Sequence, residues 1–265
     1  MSITPNEGNS AMSGLDGRVA LVTGAAGAGI GKAIATRLAA DGATVVVTDS
    51  HERRLEAAVA EIRENTRGNV VGHVLDVGDR DRIVAVTDAV LAEIGPIAIL
   101  VNNAAVNVMG PIFDYDPADW DRVLNVNLTG PWMLSRQVMR QMRDAGIPGV
   151  ILNVSTYAPD VGGEGIEAPY AVSKGGLNVL TRSCAHEGGP YGIRANTLSM
   201  GMVTGTRFTD ALHSDMQARE REKSPLGRLS HVDDIAEAAA FLISDRAKNI
   251  TGETVNVAAG THMRY

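Results

Sequence analysis

The chain has one cysteine, Cys184, so no intrachain disulfide can form. That suits a reducing compartment, and a cytoplasmic location is expected. Cys184 lies in a helical pattern and reads as a small core side chain. Aromatic residues make up only 4% of the sequence, so aliphatic burial must supply most of the core. Positive charge is short as well: 24 Lys and Arg stand against 31 Asp and Glu, a net charge of -7. A nucleic-acid surface normally needs a basic footprint, so no nucleic-acid partner is expected. No apolar run approaches the about 18 residues of a spanning helix, so no membrane partner is expected either. The opening "MSITPNEGNSAMSG" lacks the basic and apolar blocks of a signal peptide. It reads as a flexible polar tail over 1–14. The six histidines show no HExxH or comparable spacing, and no metal is expected. No linker, charge block or tandem repeat divides the rest, so 15–265 reads as a single domain.

What the sequence does have is a regular alternation of elements. "RVALV" and "TVVVT" read as strands around the helix "GKAIATRLAADG". A helix near Arg53 to Asn65, the strand "NVVGHVLD", a helix from about Arg80 to Glu93 and the strand "IAILVN" follow. One long helix is expected from about Asp119 to Arg143. Then come "GVILNVS", a helix from about Tyr170 to Glu187, "IRANTLS", the helix "VDDIAEAAAFLIS" and a last strand in "ETVNVAA". Apolar strands with little alternation are covered on both faces. Helical crossovers between them imply a parallel sheet. The expected class is α/β: a Rossmann-like doubly wound parallel β-sheet with helices on both faces, three-layer α/β/α.

Four glycines crowd the turn "TGAAGAGIG" between the first strand and the first helix. Glycine there permits unusual dihedrals and close approach, and a pyrophosphate can sit on free N–H groups at the helix start. Gly24, Gly27, Gly29, Ile30 and Gly31 are therefore candidate cofactor-binding residues; a tight turn without ligand is the alternative. Asp49 ends the second strand, 20 residues after Gly29. A carboxylate there accepts from the adenosine ribose hydroxyls and repels a 2′-phosphate, which favours NAD(H) over NADP(H). Arg53 and Arg54 either weigh the other way or are solvated surface. Asp76 and Val77 leave the third strand, and Asn102, Asn103 and Ala104 leave the fourth. Strand carboxyl ends line the ligand crevice in such a sheet. Asn103 serves equally well as a cofactor contact or as a turn residue.

Tyr170 and Lys174 in "YAVSK" stand four apart in a helical pattern and share a face. A free tyrosine titrates near about 10, and a nearby ammonium favours the phenolate. Such a tyrosine can exchange a proton with an alcohol or carbonyl oxygen while hydride moves at carbon. An ordinary surface Tyr–Lys pair is the alternative.

With these motifs in this order, the chain resembles the short-chain dehydrogenase/reductase family over roughly Leu15 to Gly260. The family's glycine turn is similar to "TGAAGAGIG", its Asp-Val to Asp76-Val77, its "NNAG" to "NNAA", its helix asparagine to Asn127 in "NVNLTG", and its Tyr-x-x-x-Lys to Tyr170 and Lys174. The resemblance implies an NAD(H)-dependent oxidoreductase that interconverts a secondary alcohol and a ketone. It implies Tyr170 as acid/base, Lys174 on the nicotinamide ribose lowering the Tyr170 pKa, and Asn127 in a proton relay through water. Tyr170, Lys174 and Val203 join the implied cofactor site. A homotetramer is implied, or a dimer, built on the helices through Asn127 and Tyr170.

The departures matter. Four residues separate Gly24 from Gly29, one more than usual, so the turn must bulge. The family's catalytic serine falls on Ser155-Thr156; strand register favours Thr156, with Ser155 the alternative. The usual Pro-Gly is Met200-Gly201, and Met200 is a candidate for an apolar pocket wall. The ending "VAAGTHMRY" is read as an interface, a closure on a neighbour's site, or a loose strand end. By family analogy 202–226 covers the substrate, with Met202, Val203, Phe208, Leu212 and Met216 as an apolar wall; the run "QAREREK" reads as a solvated helix face, with Arg219, Arg221 and Lys223 on an acyl-carrier or coenzyme A phosphate as the alternative. The glycine turn and "AHEGGPYGIRANTLS" somewhat resemble actinobacterial reductases of lipid and steroid breakdown. Candidate substrates are a 3-oxoacyl thioester, a ring alcohol or ketone, and a hydroxysteroid. The competing functions are a catalytically inactive NAD-binding or scaffold protein and an NAD-using epimerase or dehydratase on the same fold.

Overall fold

Seven strands lie side by side, each parallel to its neighbours. They are β1 (Val19–Thr23), β2 (Thr44–Asp49), β3 (Val70–Val74), β4 (Ile97–Asn102), β5 (Gly149–Thr156), β6 (Ile193–Met200) and β9 (Thr254–Val257), in the order β3-β2-β1-β4-β5-β6-β9. The structure, a computed structural model, describes residues 15–66, 68–210 and 214–263; the expected 1–14 tail and Leu212 lie outside them, as does the Phe208 side chain. Strands β1 and β4 are buried along their whole length, which is why their sequences do not alternate.

Helices α1 (Ile30–Ala40), α2 (Glu52–Thr66) and α9 (Val232–Ile243) pack one apolar cluster against one sheet face. Helices α3 (Arg80–Glu93), α5 (Gly130–Ala145) and α6 (Ala168–Gly188) pack a second cluster against the other. The result is the three-layer α/β/α class. Local signals set the ends. The Asp79 side chain accepts from the Arg82 N–H to start α3, and left-handed Gly146 stops α5. A capping box between His231 and Asp234 starts α9.

The single long helix expected from Asp119 to Arg143 is instead three pieces: α4 (Pro117–Leu124), a π-helical turn (Asn125–Thr129) and α5. Pro131 has no N–H to give the Asn127 carbonyl, so bonding slips by a residue. The Gly130 N–H donates to the Asn125 carbonyl, five residues back.

Between β6 and β9 the chain forms a small parallel pair, β7 (Val203–Thr204) and β8 (Ser230–His231), with the short helix α7 (Arg207–Asp210) and α8 (Ser214–Lys223). Of the expected apolar wall, Met202, Val203 and Met216 have described side chains. Val203 is buried in the core, α8 buries no residue, and Met216 is exposed. Met200, the last residue of β6, is also buried in the core. Polar residues cross the sheet interior: Asn102 Nδ2 donates to Asn153 Oδ1 at 2.8 Å, Asn153 Nδ2 to Thr181 Oγ1 at 2.7 Å, and Thr181 and Thr197 hydroxyls meet at 2.6 Å. No helix among the described residues is long and apolar enough to cross a membrane.

Candidate active site

The glycine turn is clamped from beneath by the end of β4. The Thr23 hydroxyl accepts the backbone N–H groups of Asn103 and Ala104, each at 3.0 Å. Asn103 Nδ2 donates to the carbonyls of Thr23 (2.9 Å) and Gly24 (3.1 Å). Asn103 is therefore a turn-holding residue, and Thr23 is a hub that motif reading missed although it directly precedes the glycines. Two glycines are sterically required. A Cβ on Gly24, which has φ +62°, would lie 2.8 Å from Ala104 Cα. A Cβ on Gly31 would lie 2.5 Å from Asn103 Nδ2 and 2.7 Å from the Gly24 carbonyl. The turn is open at Gly27–Ala28, where Ala28 is exposed and a Cβ on Gly27 meets nothing within 4 Å. Gly29 caps α1 without a side-chain hydrogen bond, and the first turn carries no acid. Ile30 opens that turn. A backbone cradle with no acid in the first helical turn fits a pyrophosphate.

At the end of β2, Asp49 is 9% exposed. Its Oδ1 accepts the His51 N–H at 3.0 Å and the Arg54 guanidinium at 3.3 Å. Arg54 is thus not plain solvated surface, and its buried Nε has no hydrogen-bond partner among the described residues. Asp76 is exposed and its Oδ1 accepts the Gly78 N–H at 2.8 Å, while Val77 is buried beside it. Val203 buries its side chain, so a cofactor contact there falls to its backbone.

Tyr170, Thr156 and Lys174 come together where β5 meets α6. The Thr156 hydroxyl hydrogen-bonds the Tyr170 phenol. Lys174 Nζ lies 5.6 Å from the Tyr170 ring centroid and donates to the Val154 carbonyl at 2.8 Å. Ser155 points elsewhere: it is fully buried, and its hydroxyl donates to the Lys174 carbonyl at 3.4 Å. Successive strand side chains face opposite ways, which separates the two hydroxyls.

Asn127 is fully buried in the π-helical turn. Its Nδ2 donates to the Val106 carbonyl (2.8 Å) and Ser173 Oγ (3.1 Å), and its Oδ1 accepts the Val106 N–H at 2.9 Å. The side-chain amide therefore ties the loop after β4 to α6, one residue from Lys174.

The phenol of Tyr170 does not sit below its ordinary value, as expected; it sits above it. Burial is the main cause, the Glu167 carboxylate adds to it, and the Thr156 hydrogen bond pulls the other way. Glu167 was not anticipated in this role. Burial lowers the Lys174 ammonium to about 8 from 10.5. Between those values the unfolded chain binds a proton that the folded chain does not. Stability relative to a Lys174→Met variant should therefore rise from about pH 8 and level off near about pH 10.5. Urea midpoints of both proteins across that window check this; parallel pH profiles would show no such shift. Among the described residues no group of three or more His, Cys, Asp or Glu is placed to hold a metal ion.

A family model described as Enoyl-(Acyl carrier protein) reductase matches residues 24–262. A hydroxy-methyl-oxo-hexahydroindene-carboxyl-CoA reductase of Mycobacterium tuberculosis is 36% identical, over 92% of this chain and 92% of its own length. D-threitol dehydrogenase of Mycolicibacterium smegmatis is 38% identical, over 93% of each chain. The crystal structure of a gluconate 5-dehydrogenase from Burkholderia cenocepacia, in complex with NADP and tartrate, superposes with a TM-score of 0.87 at 30% identity, covering 95% of this chain and 98% of that one.

Proposed function

We propose, since this chain belongs to the short-chain dehydrogenase/reductase family, that the enzyme interconverts a secondary alcohol and a ketone with a nicotinamide dinucleotide. Oxidoreductase activity of this type and a dinucleotide cofactor follow from the family; the roles below are our assignment. The observation that carries it is the Thr156 hydroxyl on the Tyr170 phenol, with Lys174 beside the ring.

The glycine turn, through Gly24, Gly29 and Gly31, would hold the pyrophosphate, Asp49 the adenosine ribose, and Lys174 the nicotinamide ribose. The cofactor supplies or accepts the hydride, and its oxidised form brings a positive charge. Tyr170 moves the proton to or from the substrate oxygen, and Thr156 holds that same oxygen. Burial and Glu167 hold the phenol proton on Tyr170, so the opposing pull falls to the charge on Lys174 and the oxidised nicotinamide. Asn127 acts by position, fixing Val106 against Ser173, whose hydroxyl donates to the Tyr170 carbonyl at 2.7 Å. Exposed Trp132 on α5 with Val172 and Val179 on α6 supports a homotetramer built on those helices.

NAD(H) is the proposed cofactor because the Asp49 carboxylate would repel a 2′-phosphate. Arg54 opposes this, and the similar solved structure names NADP. Calorimetric titration should give at least about tenfold tighter NADH than NADPH binding, about 1.4 kcal/mol. Equal or reversed affinities would promote Arg54 to a phosphate ligand. A cofactor-coupled absorbance assay with secondary alcohols should yield one reduced cofactor per ketone. Conversion without net cofactor reduction would favour an epimerase or dehydratase, and no turnover a scaffold.

Turnover also decides the hydroxyl. Thr156→Ala should cost more than Ser155→Ala, because the Thr156 hydroxyl meets the phenol while the Ser155 hydroxyl is turned onto the Lys174 carbonyl. A larger loss at Ser155 reverses the assignment.

A further inference from the structure

The chain's end folds onto its own strand ends. His262 stacks on Tyr157, with ring centroids 3.5 Å apart and planes 6° from parallel. Tyr157 directly follows Thr156, and a Cβ on Gly201 at the end of β6 would come 3.3 Å from His262 Cδ2. The imidazole therefore lies across the carboxyl ends of β5 and β6, where an open parallel sheet binds its ligand. Its backbone is pinned by Asn256 Nδ2 donating to the His262 carbonyl. The ring is held, yet its buried Nε2 has no hydrogen-bond partner among the described residues. The Glu220 carboxylate of α8 faces it from 4.0 Å.

One oxygen between these two groups, at about 2.8 Å from each, would satisfy both. A hydroxyl fits chemically: it accepts from an imidazole N–H and donates to a carboxylate. An anionic group does not fit. Among the described residues His262 feels Glu220, Glu164 and Asp160 against Lys223. Lys223 is already paired with Glu220. The Tyr157 hydroxyl donates to Glu164 at 3.3 Å, and Glu167 faces both Tyr157 and Tyr170. Burial holds the His262 imidazole below its ordinary value, so it offers little charge of its own near neutral pH.

We infer that His262 and Glu220 form a hydroxyl-recognition site, so that the substrate is a small uncharged alcohol with further hydroxyls rather than an acyl thioester or a sugar acid. This rests on the alcohol–ketone activity proposed above and narrows its substrate.

The test is a turnover panel on the full chain with NAD and NADP. It compares a four-carbon tetritol, a five-carbon pentitol, gluconate, a 3-hydroxyacyl-CoA and cyclohexanol. The tetritol or pentitol should show kcat/KM at least about tenfold above gluconate and the thioester. His262→Phe keeps a flat ring on Tyr157 and removes Nε2. It should raise KM for the polyol about tenfold or more, with kcat little changed, and leave cyclohexanol within about twofold. His262→Gln, which restores a donor, should recover part of the loss. Equal effects on polyol and cyclohexanol, or an unchanged polyol KM, overturn the inference, as does a preference for gluconate or the thioester. In that last case the alcohol–ketone reading survives; if no alcohol of any kind reduces the cofactor, both fall. A His262→Phe protein that melts well below the parent is replaced by Glu220→Gln on exposed α8, for which the same polyol-selective rise in KM is required.

Discussion

Tyr170→Phe should lower turnover by about 10²–10⁴-fold while leaving cofactor affinity nearly unchanged. Phenylalanine keeps the ring and almost all of its burial, so the fold survives. What goes is the hydroxyl that meets Thr156, the group proposed above to pass a proton to the substrate oxygen. Alcohol oxidation should require a deprotonated group in the parent, and that limb of the pH profile should vanish in the variant. The phenol starts above its ordinary value, so an apparent pKa near neutrality would itself show that cofactor and Lys174 charge act on it. A variant keeping more than roughly a third of parental turnover, with chemistry limiting the rate, would refute Tyr170 as the acid/base. Proton transfer would then have to be sought at Thr156.

Gly31→Ala should abolish measurable cofactor binding and cost about 1–3 kcal/mol of stability. The new methyl would press on Asn103 Nδ2 at 2.5 Å, on the Gly24 carbonyl at 2.7 Å and on Ala25 Cα at 3.1 Å. None of these can yield cheaply. Asn103 is held by two carbonyls, and the others are backbone of the turn itself. Displacing them opens the clamp that positions the N–H groups at the start of α1. Gly27→Ala is the matched control, since its Cβ meets nothing within 4 Å. Calorimetry for the cofactor and urea melts for stability read both effects. Tight binding by Gly31→Ala would show that the turn adapts and that its close packing is incidental.

The sheet was legible because its strands are buried on both faces and so appear as short aliphatic runs between helical patterns. Helix α3 matches the approximate bounds read from the sequence, and in the structure Asp79 caps its start. The break at Asn125–Thr129 was not legible, because helix periodicity reports which face is apolar and hardly registers a one-residue slip. Pro131 was the available signal. Motif spacing placed Tyr170 beside Lys174, but the state of the phenol depends on burial and on Glu167, which spacing does not measure. The Asp49–Arg54 pair and the seat of Met200 in the core are likewise consequences of packing. The stack of His262 on Tyr157 joins residues far apart in sequence, and nothing local to either announces it.

The place of β1 in the sheet also sets a schedule for the newly made chain. Of the seven strands of the described sheet, β1 is the first to be made, yet it belongs in the sheet interior, between β2 and β4. One side can be covered at once, because β2 and β3 follow directly. The other side waits for β4, whose Val101 carbonyl receives the Thr23 hydroxyl across a separation of 78 residues. At about 5–20 residues per second that interval lasts roughly 4–16 s. During it β1 shows an unpaired apolar edge, the kind of surface on which chains aggregate. The Thr23–Asn103 clamp is the latch that ends the exposure, before any residue of the Tyr170 helix has been made.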